Sequence, residues 1–97
     1  MYSFITTSET IQIRGILKLQ SVGELAATIN EDFRSQKKIV IDLSQLHELT
    51  LRTVMKLITL QNHYRNSGKL VLFKGLNNKS VSGTFGLAGK RYLLGVA

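Results

Sequence analysis

The spacing of apolar positions changes period several times along this chain, and each change predicts an element. Ser3–Thr7 alternates, with Phe4 and Thr6 set against Ile5, and predicts a first strand. Ser8–Glu9 reads as a turn. Thr10–Leu17 alternates again, with Ile11, Ile13 and Gly15 on one face and Gln12, Arg14 and Ile16 on the other, as a half-buried strand requires. Ser21-Val22-Gly23-Glu24 has the form of a capping box. Val22, Leu25, Ala26, Ile29 and Phe33 follow at helical spacing and predict a helix over 22–35.

Lys38–Leu43 contains the β-branched run Ile39-Val40-Ile41, which suits an interior strand covered on both faces. Leu46 and Leu49 fall in the connection that follows. Thr50 is placed to cap a second helix, with Leu51, Val54, Leu57, Ile58 and Leu60 as its apolar side. That helix should run to about Asn66 and end at Gly68 in the left-handed conformation. Lys69–Lys74 holds Leu70-Val71-Leu72-Phe73, a second buried-type strand. After the loop Gly75–Asn78, Asn78 can cap a short helix carrying Val81 and Phe85, which Gly83 and Gly86 weaken. Lys90–Val96 is the expected last strand.

The order β-β-α-β-α-β-α-β predicts a single α/β domain spanning 1–97. Its sheet should be mostly parallel, with about five strands and three to four helices. The first two strands are linked too tightly for a crossover, so they should form one antiparallel edge.

Composition narrows the function classes. Ninety-seven residues make one domain, and 43% apolar content fits a globular chain. The absence of cysteine excludes a disulfide framework, a thiolate metal site and a cysteine nucleophile. No apolar run reaches the ~18 residues of a membrane span. Met1–Ser8 lacks a basic region followed by an apolar stretch, so a cytoplasmic protein is expected. The net charge of +7 is unevenly spread. Residues 1–32 carry Arg14 and Lys18 against Glu9, Glu24, Glu31 and Asp32, a net of −2. Residues 33–97 carry a net of +9. That excess favours acidic partners. The basic residues are scattered, which disfavours nucleic acid.

Candidate chemistry is sparse. His47 and His63 have no metal-site spacing with the few carboxylates. Asp42, followed by Leu43 and Ser44, reads as a turn-forming carboxylate rather than a catalytic one. Gly83, Gly86 and Gly89 do not form a phosphate loop. No nucleophile–base–orienter set is present, so no catalytic residue, metal or cofactor is expected, and the chain reads as a binding module rather than an enzyme.

The pieces Gly15-Ile16-Leu17, Val40-Ile41-Asp42-Leu43-Ser44, the helix after Thr50, Gly68-Lys69-Leu70 and Gly75-Leu76-Asn77 stand in the order seen in STAS domains. Over nearly its whole length the chain resembles that family of bacterial anti-sigma-factor antagonists and related modules. The resemblance implies the fold read above. It also implies a docking site at the start of the second helix, where antagonists typically carry Asp-Ser-Ser/Thr-Gly and a kinase phosphorylates the first Ser. Here that stretch is Thr50-Leu51-Arg52-Thr53, with leucine at the phosphoacceptor position. Lys18 stands where the family tends to have an Asp after its Gly-x-Leu. An acidic, switchable patch has become neutral or basic.

The expected partner-binding residues are therefore His47, Thr50, Leu51, Arg52, Thr53, Lys56 and Lys18, with Thr50 and Thr53 as the remaining hydroxyls for phosphorylation. Leu51 either projects as an apolar anchor or packs inward. The leading functional expectation is a protein-interaction module whose partner is an anti-sigma factor or kinase-like protein. One alternative is a STAS subunit bound to the ATPase subunit of an ABC phospholipid-transport complex, suggested by Gly75-Leu76-Asn77-Asn78-Lys79. A second is an electrostatic binder of nucleic acid. A homodimer stays open.

Overall fold

The computed structural model describes residues Tyr2–Gly95. Its elements are β1 (Tyr2–Thr6), β2 (Thr10–Ile16), a 3-10 turn at Leu19–Ser21, α1 (Val22–Asp32), β3 (Lys38–Glu48), α2 (Leu51–Asn66), β4 (Leu70–Lys74), α3 (Lys79–Leu87), a second 3-10 turn at Arg91–Leu93, and β5 (Leu94–Gly95). The five strands lie in sequence order in one sheet. β1 pairs antiparallel with β2, and every later pairing is parallel. The expected architecture is thus the observed one.

Sequence order in a parallel sheet means that each crossover steps the same way. Right-handed crossovers then place all three helices on one face. Burial agrees: Ile39, Ile41 and Leu43 are fully buried, whereas Val40 between them is only half-buried. Thr10, Val40, Leu72 and Lys74 line an open depression on the opposite face. The β-branched run of β3 is therefore covered on one side only among the described residues, not on both as its composition suggests. Val40 and Leu72 keep apolar character there by packing against each other across the ladder.

Several local expectations change. Ser21 does not close a capping box. Its backbone is already helical, because the preceding 3-10 turn runs into α1, and its side chain makes no cap bond. Glu24 instead accepts a hydrogen bond from the Tyr2 hydroxyl, tying α1 to the sheet edge. α1 ends at Asp32 rather than near residue 35. β3 runs on to Glu48, so Leu46 belongs to the strand and not to a loop. The last strand is shorter than Lys90–Val96, because a 3-10 turn takes its first residues; Val96 lies outside the described residues.

Other expectations hold. Asn78 Oδ1 accepts from the Val81 N–H at 3.1 Å and starts α3 despite its glycines. α2 ends where Gly68 adopts φ +84°. The Gly68 N–H donates to the Arg65 carbonyl and the Lys69 N–H to the Tyr64 carbonyl, which together satisfy the helix end. The core joins Ile11, Ile13, Leu25, Ile29, Phe33, Ile41, Val54, Leu57, Val71, Phe73, Val81 and Phe85 into one cluster.

Candidate functional site

The site forms where β2 and β3 end. Gly15 adopts φ +96°, a conformation open to glycine, and the β2–β3 register shifts beside it. The chain then leaves the sheet through Leu17, which is buried, and turns through Leu19–Ser21 against the start of α2. That turn carries Lys18 and Leu19 to solvent.

α2 starts at a threonine pair. The Thr53 N–H donates to Thr50 Oγ1 at 3.3 Å, and the two hydroxyl oxygens lie 3.0 Å apart. Thr53 is fully buried, while Thr50 is exposed. Both hydroxyls are thus engaged in building the helix start, and only that of Thr50 faces solvent.

Leu51 is 44% exposed and does not pack inward. The inner side of α2 is formed by Thr53, Val54, Leu57, Ile58 and Tyr64, with Leu60 half-buried. Leu51 therefore leaves the apolar side expected for it. Met55, one turn on, is 49% exposed, and Leu19 is 40% exposed. These three apolar side chains, with Arg52, Lys56 and Thr59, line a shallow depression of about 440 Å³. A second depression shares Leu19 and is lined by Lys18, Glu48, Thr50 and Thr53. A third shares Lys56 and Thr59 and continues between α1 and α2 past Val22, Ala26 and Leu60 to His63.

The first turn of α2 holds no acidic residue, so the positive end of the helix adds to Arg52 and Lys56. The face is apolar at its centre and basic at its rim. Among the described residues, no group of three or more His, Asp or Glu side chains converges to hold a metal ion. No helix is long and apolar enough to cross a membrane among them.

Six of the seven expected residues, Lys18, Thr50, Leu51, Arg52, Thr53 and Lys56, are brought together here. His47 is not. It lies by Tyr2, Ser3, Arg14 and Gly15 at the end of the first two strands. The extension of β3 to Glu48 explains this, because alternation sends neighbouring side chains to opposite faces. Sequence reasoning missed Leu19 and Met55. Met55 was signalled by its spacing of four from Leu51. Leu19 had no such signal, since no period runs through a three-residue turn.

Asp42 is buried within β3 and no turn follows it, because pairing with β2 carries the strand on to Glu48; its carboxylate still accepts a backbone amide, as expected. Its Oδ1 accepts from the Ser44 N–H at 2.9 Å, and its Oδ2 accepts from the Gln12 amide at 3.2 Å. Burial pushes its carboxyl up, but the bonds from Ser44 and Gln12 and the nearby Lys74 charge outweigh it and hold the carboxyl below its usual range.

No family model matches the sequence, and no curated protein matches it. Among solved structures, the chain is similar to the anti-sigma factor antagonist SpoIIAA in its unphosphorylated form. The TM-score is 0.72 at 18% identity, over 100% of this chain and 88% of that one. The chain has the STAS fold. At that identity the likeness speaks for the fold alone, and it agrees with the element order read from the sequence.

Proposed function

We propose that this protein is a non-enzymatic STAS-type binding module of bacterial regulation, cytoplasmic, that docks a protein partner on the face built by Lys18, Leu19 and the first two turns of α2. The carrying observation is the exposure of Leu51 and Met55 beside Arg52 and Lys56. A folded domain rarely leaves large side chains clustered in solvent without a partner to cover them. The partner surface is apolar with acidic surroundings, as the basic rim requires. An anti-sigma factor or a kinase-like regulator is the class of partner that the fold suggests.

This contact lacks the serine switch of typical antagonists. Leu51 stands at the phosphoacceptor position and has no hydroxyl. Thr53 is buried, and its hydroxyl lies against that of Thr50. Phosphate on Thr53 requires the helix start to open. Phosphate on Thr50 costs the cap bond.

The test begins with a pull-down from the source cell to obtain the partner. Arg52→Glu should then weaken its binding by about tenfold, or ~1.4 kcal/mol, with the fold intact by circular dichroism. Unchanged affinity removes this face as the interface. Stoichiometric phosphate on Thr50 or Thr53 after incubation with a partner kinase refutes the absence of a switch. Salt-dependent retention on DNA supports the electrostatic alternative instead. The loop that suggests a transport-complex subunit, Gly75–Lys79, has a role in the fold that accounts for its key residue. Asn78 donates to the Ser44 and Leu46 carbonyls at 3.0 and 2.8 Å while capping α3.

A further inference from the structure

The two edges of the sheet are treated differently. At the β4 side, β5 covers Phe73 and Lys74 among the described residues. The next outward carbonyl, that of Val71, is taken by the Gln61 amide of α2 at 2.9 Å. That edge is closed by a strand and a side chain.

Among the described residues, β1 has no such cover. Natural edges are blunted by lysine, proline, a bulge or an inward charge, because free N–H and C=O groups template further pairing. Tyr2-Ser3-Phe4-Ile5-Thr6 holds no charge and no proline, and its register with β2 runs without interruption. The direction of its free groups follows from the hairpin. The Thr7 N–H donates to the Thr10 carbonyl at 2.9 Å, so Ile5 and Ser3, two and four residues back, also bond toward β2. Tyr2, Phe4 and Thr6 therefore aim their backbone groups outward. Phe4 is only half-buried, and Ile5 is 43% exposed on the helix-free face.

We propose that the β1 edge pairs antiparallel with the β1 edge of a second copy of this chain, about a two-fold axis at Phe4, to give a continuous ten-stranded sheet. The segment is complementary to itself. Phe4 falls opposite Phe4, Tyr2 opposite Thr6 and Ser3 opposite Ile5, so no charges meet. The Tyr2 and Phe4 rings, 5.2 Å apart within one chain, extend into a four-ring ladder across the axis. Charge favours this side of the molecule. Residues 1–32 have a net of −2, whereas the rest of the chain carries +9 and repels its own copy. An axis perpendicular to the sheet keeps both helix layers on the same side. The strands reverse across that axis, so the two docking faces, at the ends of β2 and β3, point in opposite directions along the strands, a consequence that rests on the function proposed above; the dimer itself does not.

The full chain is examined by sedimentation velocity from about 5 to about 500 µM, the range for a contact of this size. A monomer–dimer equilibrium is expected. Thr6→Pro removes one outward N–H and no bond to β2, and Ile5→Lys sets a charge on the pairing edge. Each should shift dimerisation at least tenfold weaker, while Leu51→Asp on the α2 face leaves it unchanged. Hydrogen exchange gives a reading free of mutation. The Phe4 and Thr6 amides should slow with concentration, while the Ser3 and Ile5 amides are protected throughout. A monomer across the whole range, or a dimer sensitive to Leu51→Asp and indifferent to Thr6→Pro, overturns the proposal.

Discussion

Two helices of this protein begin alike and end up in different roles. At α2, Thr50 accepts from the Thr53 N–H; at α3, Asn78 accepts from the Val81 N–H. Both caps satisfy an amide of the first turn. The difference lies in what else each cap touches. Asn78 also donates twice to β3, at the Ser44 and Leu46 carbonyls. Asp42 fixes Ser44 from the other side. The start of α3 is therefore bound into the sheet. The start of α2 hands its two hydroxyls to each other and leaves Leu51, Arg52 and Met55 to solvent. A helix start whose polar groups are consumed by the fold holds structure; one whose side chains are left over can meet a partner.

The largest effect is expected at the cap bound into the sheet. Asn78→Ala loses three hydrogen bonds and strands two strand carbonyls, and should cost about 3 kcal/mol in urea unfolding. A loss no larger than that of Thr50→Ala means that the two starts are equivalent. The carboxylate behind Ser44 comes next. Asp42→Asn keeps one acceptor but loses charge, and should cost about 1.5 kcal/mol at neutral pH. Its pH dependence has a definite sign. The folded carboxyl titrates below its unfolded value of about 3.9, so its stabilisation is full above that pH and is lost as pH falls through the folded value. Acid titration of stability should show this loss in the natural sequence and not in Asp42→Asn.

The unbound cap should matter less. Thr50→Ala removes the bond from the Thr53 N–H and the contact with the Thr53 hydroxyl, and should cost about 1 kcal/mol by thermal or urea unfolding. Smallest of all is the exposed pair. Leu51→Ala and Met55→Ala should each leave stability within about 0.5 kcal/mol of the natural sequence. A larger loss means that these side chains pack in the folded domain and are not spare for binding. Leu51→Ala should still weaken partner binding, which titration calorimetry reads independently of stability.

Much of this was legible in the chain. Alternation around Ile11 and Ile13, the helical stripe from Val22 to Phe33, the terminator Gly68 and the cap Asn78 each announce their element through local geometry. Errors fell where a long-range contact overrode a local signal. Ser21 and Glu24 have the form of a capping box, yet Glu24 meets Tyr2 across the fold. Leu46 looks like loop, but pairing with Gly15 of β2 extends the strand through it.

The candidate site divides in the same way. Residue types at Thr50–Lys56 determined that leucine follows the capping threonine and that the patch is basic, because those are properties of side chains alone. The mostly parallel sheet with one antiparallel edge was also legible, since one tight link and single helices between later strands leave few alternatives, whereas the order of strands within it came from the structure. Only the tertiary structure decided that Leu51 faces out, that Thr53 faces in, that Leu19 joins them and that His47 does not. Each of these depends on how α2 is rotated against the sheet and where β3 ends. A helix's rotation is set by the sum of its buried contacts, Val54, Leu57, Ile58 and Tyr64 together, and no single position in the sequence carries that sum.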